Sequence, residues 1–204
     1  MKLRKLPRAF YHRPTLRIAR DLLGIYLCRR RGRSLLIGRI VEVEAYLGTR
    51  DPASHAYRGK TERNAVMFGE GGHLYVYFTY GMHFCSNVVT EPEGTGCAVL
   101  IRALEPVRGI DLMRKLRGAS RRGVRPLEDL LSGPAKLCQA LDITREENGT
   151  DLCGDVVWLA RGMSSVAPIG RSGRIGISSG REKQWRFFLT GNRYVSRGKP
   201  AGTA

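Results

Sequence analysis

Glu42 and Glu44 stand two residues apart in the apolar run IVEVEAY, and further along come Tyr75, Tyr77 and Tyr80, with Asn87 after them. A carboxyl group in apolar surroundings can serve as a general base or as one half of an ion pair, because burial raises its pKa and a neighbouring cation lowers it. Side chains alternate along a strand, so Val41, Val43 and Ala45 point one way while Ile40, Glu42, Glu44 and Tyr46 point the other. Both acids then share a face with a phenol. A structural ion pair to Arg39 or Arg102 accounts for them, and so does a general base with a tuned pKa. Spacing chooses neither between these readings nor between the two acids. Tyr75 and Tyr77 likewise fit either ordinary strand packing or a stacking platform for nucleobases.

The elements that must position these residues can be read from periodicity and turn chemistry. Residues 1–13 read as a basic N-terminal arm, 14–198 as a single domain, and 199–204 as a C-terminal tail. Pro14-Thr15 begins a helix with Ile18, Ala19, Leu22 and Leu23 on one face, ending near Gly24. Ile25–Cys28 and Leu35–Tyr46 read as strands joined by a basic turn. Residues 47–72 show no sustained period, and an irregular stretch of that length in a compact domain is more often functional than idle. Leu74–Tyr80, Phe84–Val89 and Ala98–Leu104 follow as strands. A basic helix is expected over 107–117, a short turn over 127–131, a helix opened by Ser132-Gly133-Pro134 and running to Leu141, and one further turn capped by Thr144 and Glu147. Val156–Leu159, Arg174–Ile177 and Trp185–Leu189 complete the strands. Short strands with short connections predict a single α+β domain built on a curved, mainly antiparallel β-sheet flanked by short helices.

Charge narrows the function. The chain has 204 residues, 42% of them apolar, and a formal net charge of +17. Residues 1–33 hold eleven Lys/Arg against Asp21 alone, 108–125 hold seven against Asp111, and 171–199 hold eight against Glu182. Three such runs on one folded domain repel each other unless a polyanion faces them, which points to nucleic acid. No basic amphipathic helix with a wide apolar face suggests a membrane partner. The five cysteines (28, 85, 97, 138, 153) form no CxxC and are odd in number, which fits a reducing compartment. With no signal-peptide pattern and no window of membrane-spanning length, an intracellular protein is expected: cytoplasm or nucleoid if bacterial, nucleus if eukaryotic.

Several motifs are set aside. Arg58-Gly59-Lys60-Thr61 ends like a phosphate loop, but Ser54 stands where its first glycine belongs. Gly176-Ile177-Ser178-Ser179-Gly180 fits G-x-S-x-G, yet the chain beyond Gly180 reads as a turn into a strand and not as the helix a nucleophile elbow needs. His73, His83 and Cys85 lack the spacing of a zinc deaminase, so no metal is implied. A sugar-cleaving acid pair would flank its substrate, whereas i, i+2 acids lie on one side of it. A non-catalytic nucleic-acid-binding module would use the same basic faces and rings.

VEVEAYLGTRDPASHAYRGKTERNAVMF, followed by GHLYVYFTYGMHFCSNVV, IRALEP, SGPAKLCQAL and VSRGKP, resembles the alkyladenine (3-methyladenine) DNA glycosylase family from about Leu6 to Arg197. The resemblance implies an enzyme that flips a damaged purine out of duplex DNA and hydrolyses its N-glycosidic bond with water, leaving an abasic site and needing no cofactor. It places the general base on Glu44 and makes Glu42 a structural neighbour. Arg102 and the backbone carbonyl of Ile175 would help hold the attacking water. Tyr46, His55, Tyr75 and Tyr77 would form the base pocket, with the His55 N–H reading the purine edge and Asn87 crowding the 2-amino group of guanine. Tyr80 would fill the gap left by the flipped base, flanked by Met82 and His83 at the DNA surface. Thr61 and Lys136 would contact phosphates. The implied partner is double-stranded DNA containing 3-methyladenine, 7-methylguanine, hypoxanthine or ethenoadenine, bound by a monomer. Aromatic walls suit 3-methyladenine and 7-methylguanine on physical grounds as well, because their nucleosides are cationic and cation–π attraction favours them.

Overall fold

Apolar alternation carries the chain through nine strands and three short α-helices among the residues that the computed structural model describes, namely 2–79, 81–118, 125–162 and 167–198. In chain order these are β1 (Arg4–Lys5), α1 (Thr15–Asp21), β2 (Tyr26–Arg31), β3 (Ser34–Leu47), β4 (Leu74–Thr79), β5 (His83–Thr90), β6 (Cys97–Arg108), α2 (Ile110–Leu116), α3 (Pro134–Leu141), β7 (Val157–Arg161), β8 (Ile169–Ser172) and β9 (Arg186–Leu189). Every described pairing is antiparallel, in the order β1-β7-β2-β3-β6-β5-β4, with β9 on β3 and β8 on β9. The architecture is thus the expected α+β domain on a mainly antiparallel sheet. No helix among the described residues is long and apolar enough to cross a membrane.

Fourteen-residue β3 organises the sheet. One edge pairs with β6 along nearly its whole length, from Ile37↔Arg108 to Leu47↔Cys97. Its other edge changes partner midway: β2 covers Ser34 to Arg39, and β9 covers Glu42 to Glu44. The acids therefore lie where a C-terminal strand joins the sheet. One core cluster fills the space under the helices, with Ile18 and Leu22 of the α1 region, Val41 and Val43 of β3, Ile101 of β6, and Leu137 and Leu141 of α3 all buried. Burial of this apolar surface is the dominant favourable contribution to the fold.

The strand register departs from simple alternation at the acids. Ile40 faces Leu104 and Glu42 faces Ala103, leaving Val41 as an extra residue; Val43 then faces Ile101, leaving Arg102 unpaired on β6. Two adjacent irregularities of this kind re-aim side chains. Ile40, expected on the acids' face, joins Val41, Val43 and Ala45 in the apolar core. Arg102 turns toward the carboxylates.

Other differences have local causes. The N-terminal segment, read as an arm, contributes β1 to the sheet edge against β7 and buries Leu6, Phe10 and Tyr11. Of the helix expected over 107–117, Val107 and Arg108 belong to β6, which continues while β3 still offers an edge; Gly109, at φ 80°, then allows the turn into α2. Arg174–Ile177 is not a strand. The strand lies earlier, at β8, and the chain bends inward at Arg174, whose buried side chain is held by Asp51. The irregular stretch 47–72 holds two 3-10 segments, Gly48–Arg50 and Glu62–Phe68. Asn64 pins it by donating from Nδ2 to the carbonyls of His55 and Gly59, at 2.9 and 3.0 Å.

Gly48 sits where β3 ends and this stretch begins, at φ 58°, and a Cβ there would come within 2.1 Å of the Thr95 carbonyl oxygen. Gly48→Ala is expected to destabilise the protein by about 3 kcal/mol, read as a lowered Tm. A change below about 1 kcal/mol would contradict the close approach described.

Candidate active site

A cavity of about 430 Å³ opens beside the acids, between β4, β5, β6 and the segments 46–55 and 175–178. Seven residues singled out from sequence line it: Tyr46, His55, Tyr75, Tyr77, Asn87, Arg102 and Ile175. Tyr75 and Tyr77 stack with centroids 5.5 Å apart and planes at 30°, while His55 meets Tyr77 edge-on at 4.4 Å. The His55 Nδ1 lies 3.1 Å from the Tyr75 hydroxyl. Period-two spacing on β4 puts both phenol rings on one wall, and Asn87, paired with Tyr75 in register, donates from Nδ2 to the Tyr75 carbonyl at 3.1 Å.

Glu44 is fully buried directly behind three of the lining residues, Tyr46, Arg102 and Ile175. Its Oε1 accepts from the Ile175 N–H at 2.7 Å and lies 3.3 Å from Arg102 Nη1; its Oε2 accepts from the Tyr46 hydroxyl at 2.9 Å. Burial pushes the Glu44 pKa above the ordinary carboxylate range, against the pull of Arg102, the Ile175 N–H and the Tyr46 hydroxyl; Glu42 adds to the rise. An acid so placed is a proton acceptor of tuned strength. The ring hydroxyls remain protonated donors, with Tyr46 and Tyr77 held well above their ordinary value and Tyr75 pushed up to about 12, each chiefly by burial. His55 keeps an exposed edge, yet burial and then Arg63 hold its pKa below the usual value, which favours the neutral ring at pH 7.

Glu42 has a different environment. Its Oε1 accepts from Arg102 Nε at 3.0 Å, Arg186 Nε at 2.7 Å and the Ser196 hydroxyl at 2.9 Å, and its Oε2 accepts from the Ser196 N–H at 2.7 Å. Every one of these partners is used in holding the carboxylate in place. Arg39, the alternative cation, pairs with Glu105 instead.

The remaining candidates lie apart from the cavity or at its rim. Thr79, the last residue of β4, lines the cavity; beyond it Met82 is 71% exposed and His83, the first residue of β5, is exposed. Tyr80 falls outside the described residues. Thr61 is exposed at the head of the Glu62–Phe68 segment, its N–H donating to Asn64 Oδ1 at 2.7 Å. Lys136, in the first turn of α3, is engaged with Asp129, which also takes Arg125 at 2.9 Å. Sequence reasoning missed Arg174, Arg186 and Ser196. Arg186 was findable as a charge opening an otherwise apolar strand; no local pattern marks the other two.

Residues 9–193 match the model of the methylpurine-DNA glycosylase family. Relatives provisionally named 3-methyladenine DNA glycosylase align over nearly the whole chain. One from Carboxydothermus hydrogenoformans is 53% identical over 194 residues, covering 94% of this chain and 98% of the relative. One from Methanoculleus marisnigri is 51% identical, with coverage of 94% and 98%, and one from Burkholderia orbicola is 49% identical, with 96% and 92%. The protein is therefore a DNA glycosylase, a DNA-repair hydrolase of N-glycosidic bonds. The chain belongs to the methylpurine-DNA glycosylase family.

Removing the Glu42 charge leaves Arg102 and Arg186 buried without their shared anion, so Glu42→Gln is expected to cost about 3–5 kcal/mol in chemical denaturation. A cost under about 1 kcal/mol would show that the network does not depend on that charge.

Proposed function

We propose that this glycosylase excises alkylated purines from duplex DNA, with Glu44 activating the water that displaces the base. One observation supports the reading: a fully buried carboxylate is fixed by Arg102, Ile175 and Tyr46, and all three of these partners line a cavity large enough for a nucleobase that stacked phenols also line. A base inside a duplex cannot reach such a cavity, so the target nucleotide swings out of the stack at a cost of a few kcal/mol. Tyr46, Tyr77 and His55 enclose it, the His55 N–H reads its edge, and Asn87 opposes the 2-amino group of guanine. The water loses its proton to Glu44 as its oxygen bonds to C1′, and the electrons of the C1′–N bond leave with the purine. A cationic alkylpurine departs as a neutral base, while the negative charge of Glu44 stabilises the oxocarbenium-like transition state and Arg102 holds that carboxylate in place.

Hypoxanthine and ethenoadenine, being neutral, depend more on the enzyme and are the demanding members of the substrate set. Tyr80 takes the space the base vacates, Met82 and His83 border it at the hairpin, and Thr61 and Lys136 contact phosphates. Lys136 would exchange Asp129 for phosphate. The protein acts as a monomer on DNA, with its basic faces supplying salt-sensitive affinity.

Glu44→Gln is expected to lower release of free methylpurine from methylated duplex DNA by at least about 10³-fold while leaving lesion binding within about threefold; residual activity of a few per cent or more would remove Glu44 from the role. In the native enzyme the release rate should fall as pH drops through the Glu44 value, and this acid limb should lie above the ordinary carboxylate range because burial raises that value. Tyr80→Ala is expected to weaken binding to lesion duplexes by about tenfold or more, as measured by equilibrium titration, since a stacking side chain contributes about 1–3 kcal/mol. An unchanged Kd would exclude Tyr80 from the gap.

A further inference from the structure

The segment that brings Ile175 to Glu44 is anchored from across the cavity by an ion pair of two fully buried residues, Arg174 and Asp51. The contact is bidentate, with Arg174 Nη1 to Asp51 Oδ2 at 2.5 Å and Nη2 to Oδ1 at 2.8 Å. Arg174 Nη1 also donates to the Ala45 carbonyl at 3.0 Å, and the guanidinium carbon lies 4.7 Å from the ring centre of Tyr46 and 5.1 Å from that of Trp185. Asp51 in turn accepts from the N–H groups of Ala53, at 3.1 Å, and Leu47, at 3.3 Å. A single guanidinium thus touches β3 beside Tyr46, the Tyr46 ring itself, and the start of the stretch that leads to His55.

Two of the three donors on Glu44 follow directly from these anchors. Ile175 is the next residue after Arg174, and Tyr46 the next after Ala45. A buried ion pair adds little net stability over apolar residues of the same volume, so stability alone does not account for this one. Its planar fork does supply direction, which a lysine or an apolar side chain would not.

We propose that Arg174, held by Asp51, is a positioning residue for base excision: it keeps the Ile175 amide and the Tyr46 phenol on Glu44 and so fixes the aim and charge state of that carboxylate. The proposal rests on Glu44 being the base. Arg174 acts through the two donors, because its own charge is matched by Asp51. The other groups facing Glu44 are Arg102 from β6, Glu42 and Tyr46 from β3, Tyr77 from β4 and Cys85 from β5. Arg186 from β9 stands opposite in register but bonds Glu42. All of these stay when Arg174 is changed. Loss of two donors that favour the ionised form leaves burial less opposed, so the Glu44 pKa rises and the acid limb of the reaction moves to higher pH.

The test is single-turnover release of methylpurine from methylated duplex DNA by the full chain, for Arg174→Lys and Asp51→Asn, across about pH 5 to 9. The folded fraction is fixed beforehand by circular dichroism. The plateau rate is expected to fall about tenfold and the midpoint of the acid limb to rise by about one unit, with Kd for lesion DNA within about threefold. A limb that stays at the wild-type pH, with the rate reduced only in proportion to folded protein, would overturn the proposal by showing a scaffold role alone. Should either single variant not fold, Asp51→Asn with Arg174→Gln keeps neutral hydrogen bonds across the same gap, and its limb is read by the same criterion. Glu44→Gln separates the two ideas. If it retains activity, the assignment of the base fails; if it is inactive and the limb of the Arg174 variants is unmoved, only the positioning role fails.

Discussion

Two carboxylates without solvent access are the constraint on which the rest of the site depends. Each would be neutral or unstable on its own in apolar surroundings, so the fold must bring cations and N–H donors to them. Arg102 reaches both acids because β6 carries an irregularity at that residue. Arg186 and Ser196 complete Glu42, whereas Glu44 accepts two hydrogen bonds beside its ion pair with Arg102 and has a raised pKa. Two residues of identical type on one strand are thereby given different surroundings: Glu42 is a counter-ion to two arginines, and Glu44 has the raised pKa that the proposed role requires.

Much of the fold was legible because it depends on local pattern. Period-two alternation located β3, β4, β5 and most of β6, and Gly133-Pro134 marked the start of α3. The cavity lining was legible too, since Tyr75 and Tyr77 share a face by spacing alone. The misplaced elements share a different property: their conformation is set by distant partners. Residues 174–177 look like a strand until Asp51, more than a hundred positions away, draws Arg174 inward. Ile40 seems to belong with the acids until a register shift against β6 sends it to the core. Charge at +17 indicated a polyanion partner, but several of the arginines counted toward it are buried and serve the interior: Arg29 with Glu147, Arg102 with Glu42, Arg174 with Asp51.

The distinction between Glu42 and Glu44 shows where sequence stopped. Both lie in the same apolar run, and spacing treats them alike. Resemblance to a family favoured Glu44, and the two environments supply a physical ground for the same choice: Glu42 accepts four hydrogen bonds, and Glu44 faces the aromatic cavity through Tyr46 and Ile175. The long stretch between β3 and β4, which had no periodic signal, owes its order to Asn64 and Asp51, two buried polar side chains that tie its backbone down.

The change of partner halfway along β3 bears on how the protein is made. Ribosomal synthesis delivers β2, β3 and β6 long before β9, and Arg174, Ile175, Arg186 and Ser196 all come later than β7. Until that tail emerges, the half of β3 that carries the acids has a bare edge and only Arg102 to balance two charges. A nascent chain can collapse around its apolar cluster, yet it holds no finished reaction centre. Assembly of the surroundings of the two acids therefore waits for residues 174–196, and a product terminated before them would lack the partners that complete Glu42 and Glu44.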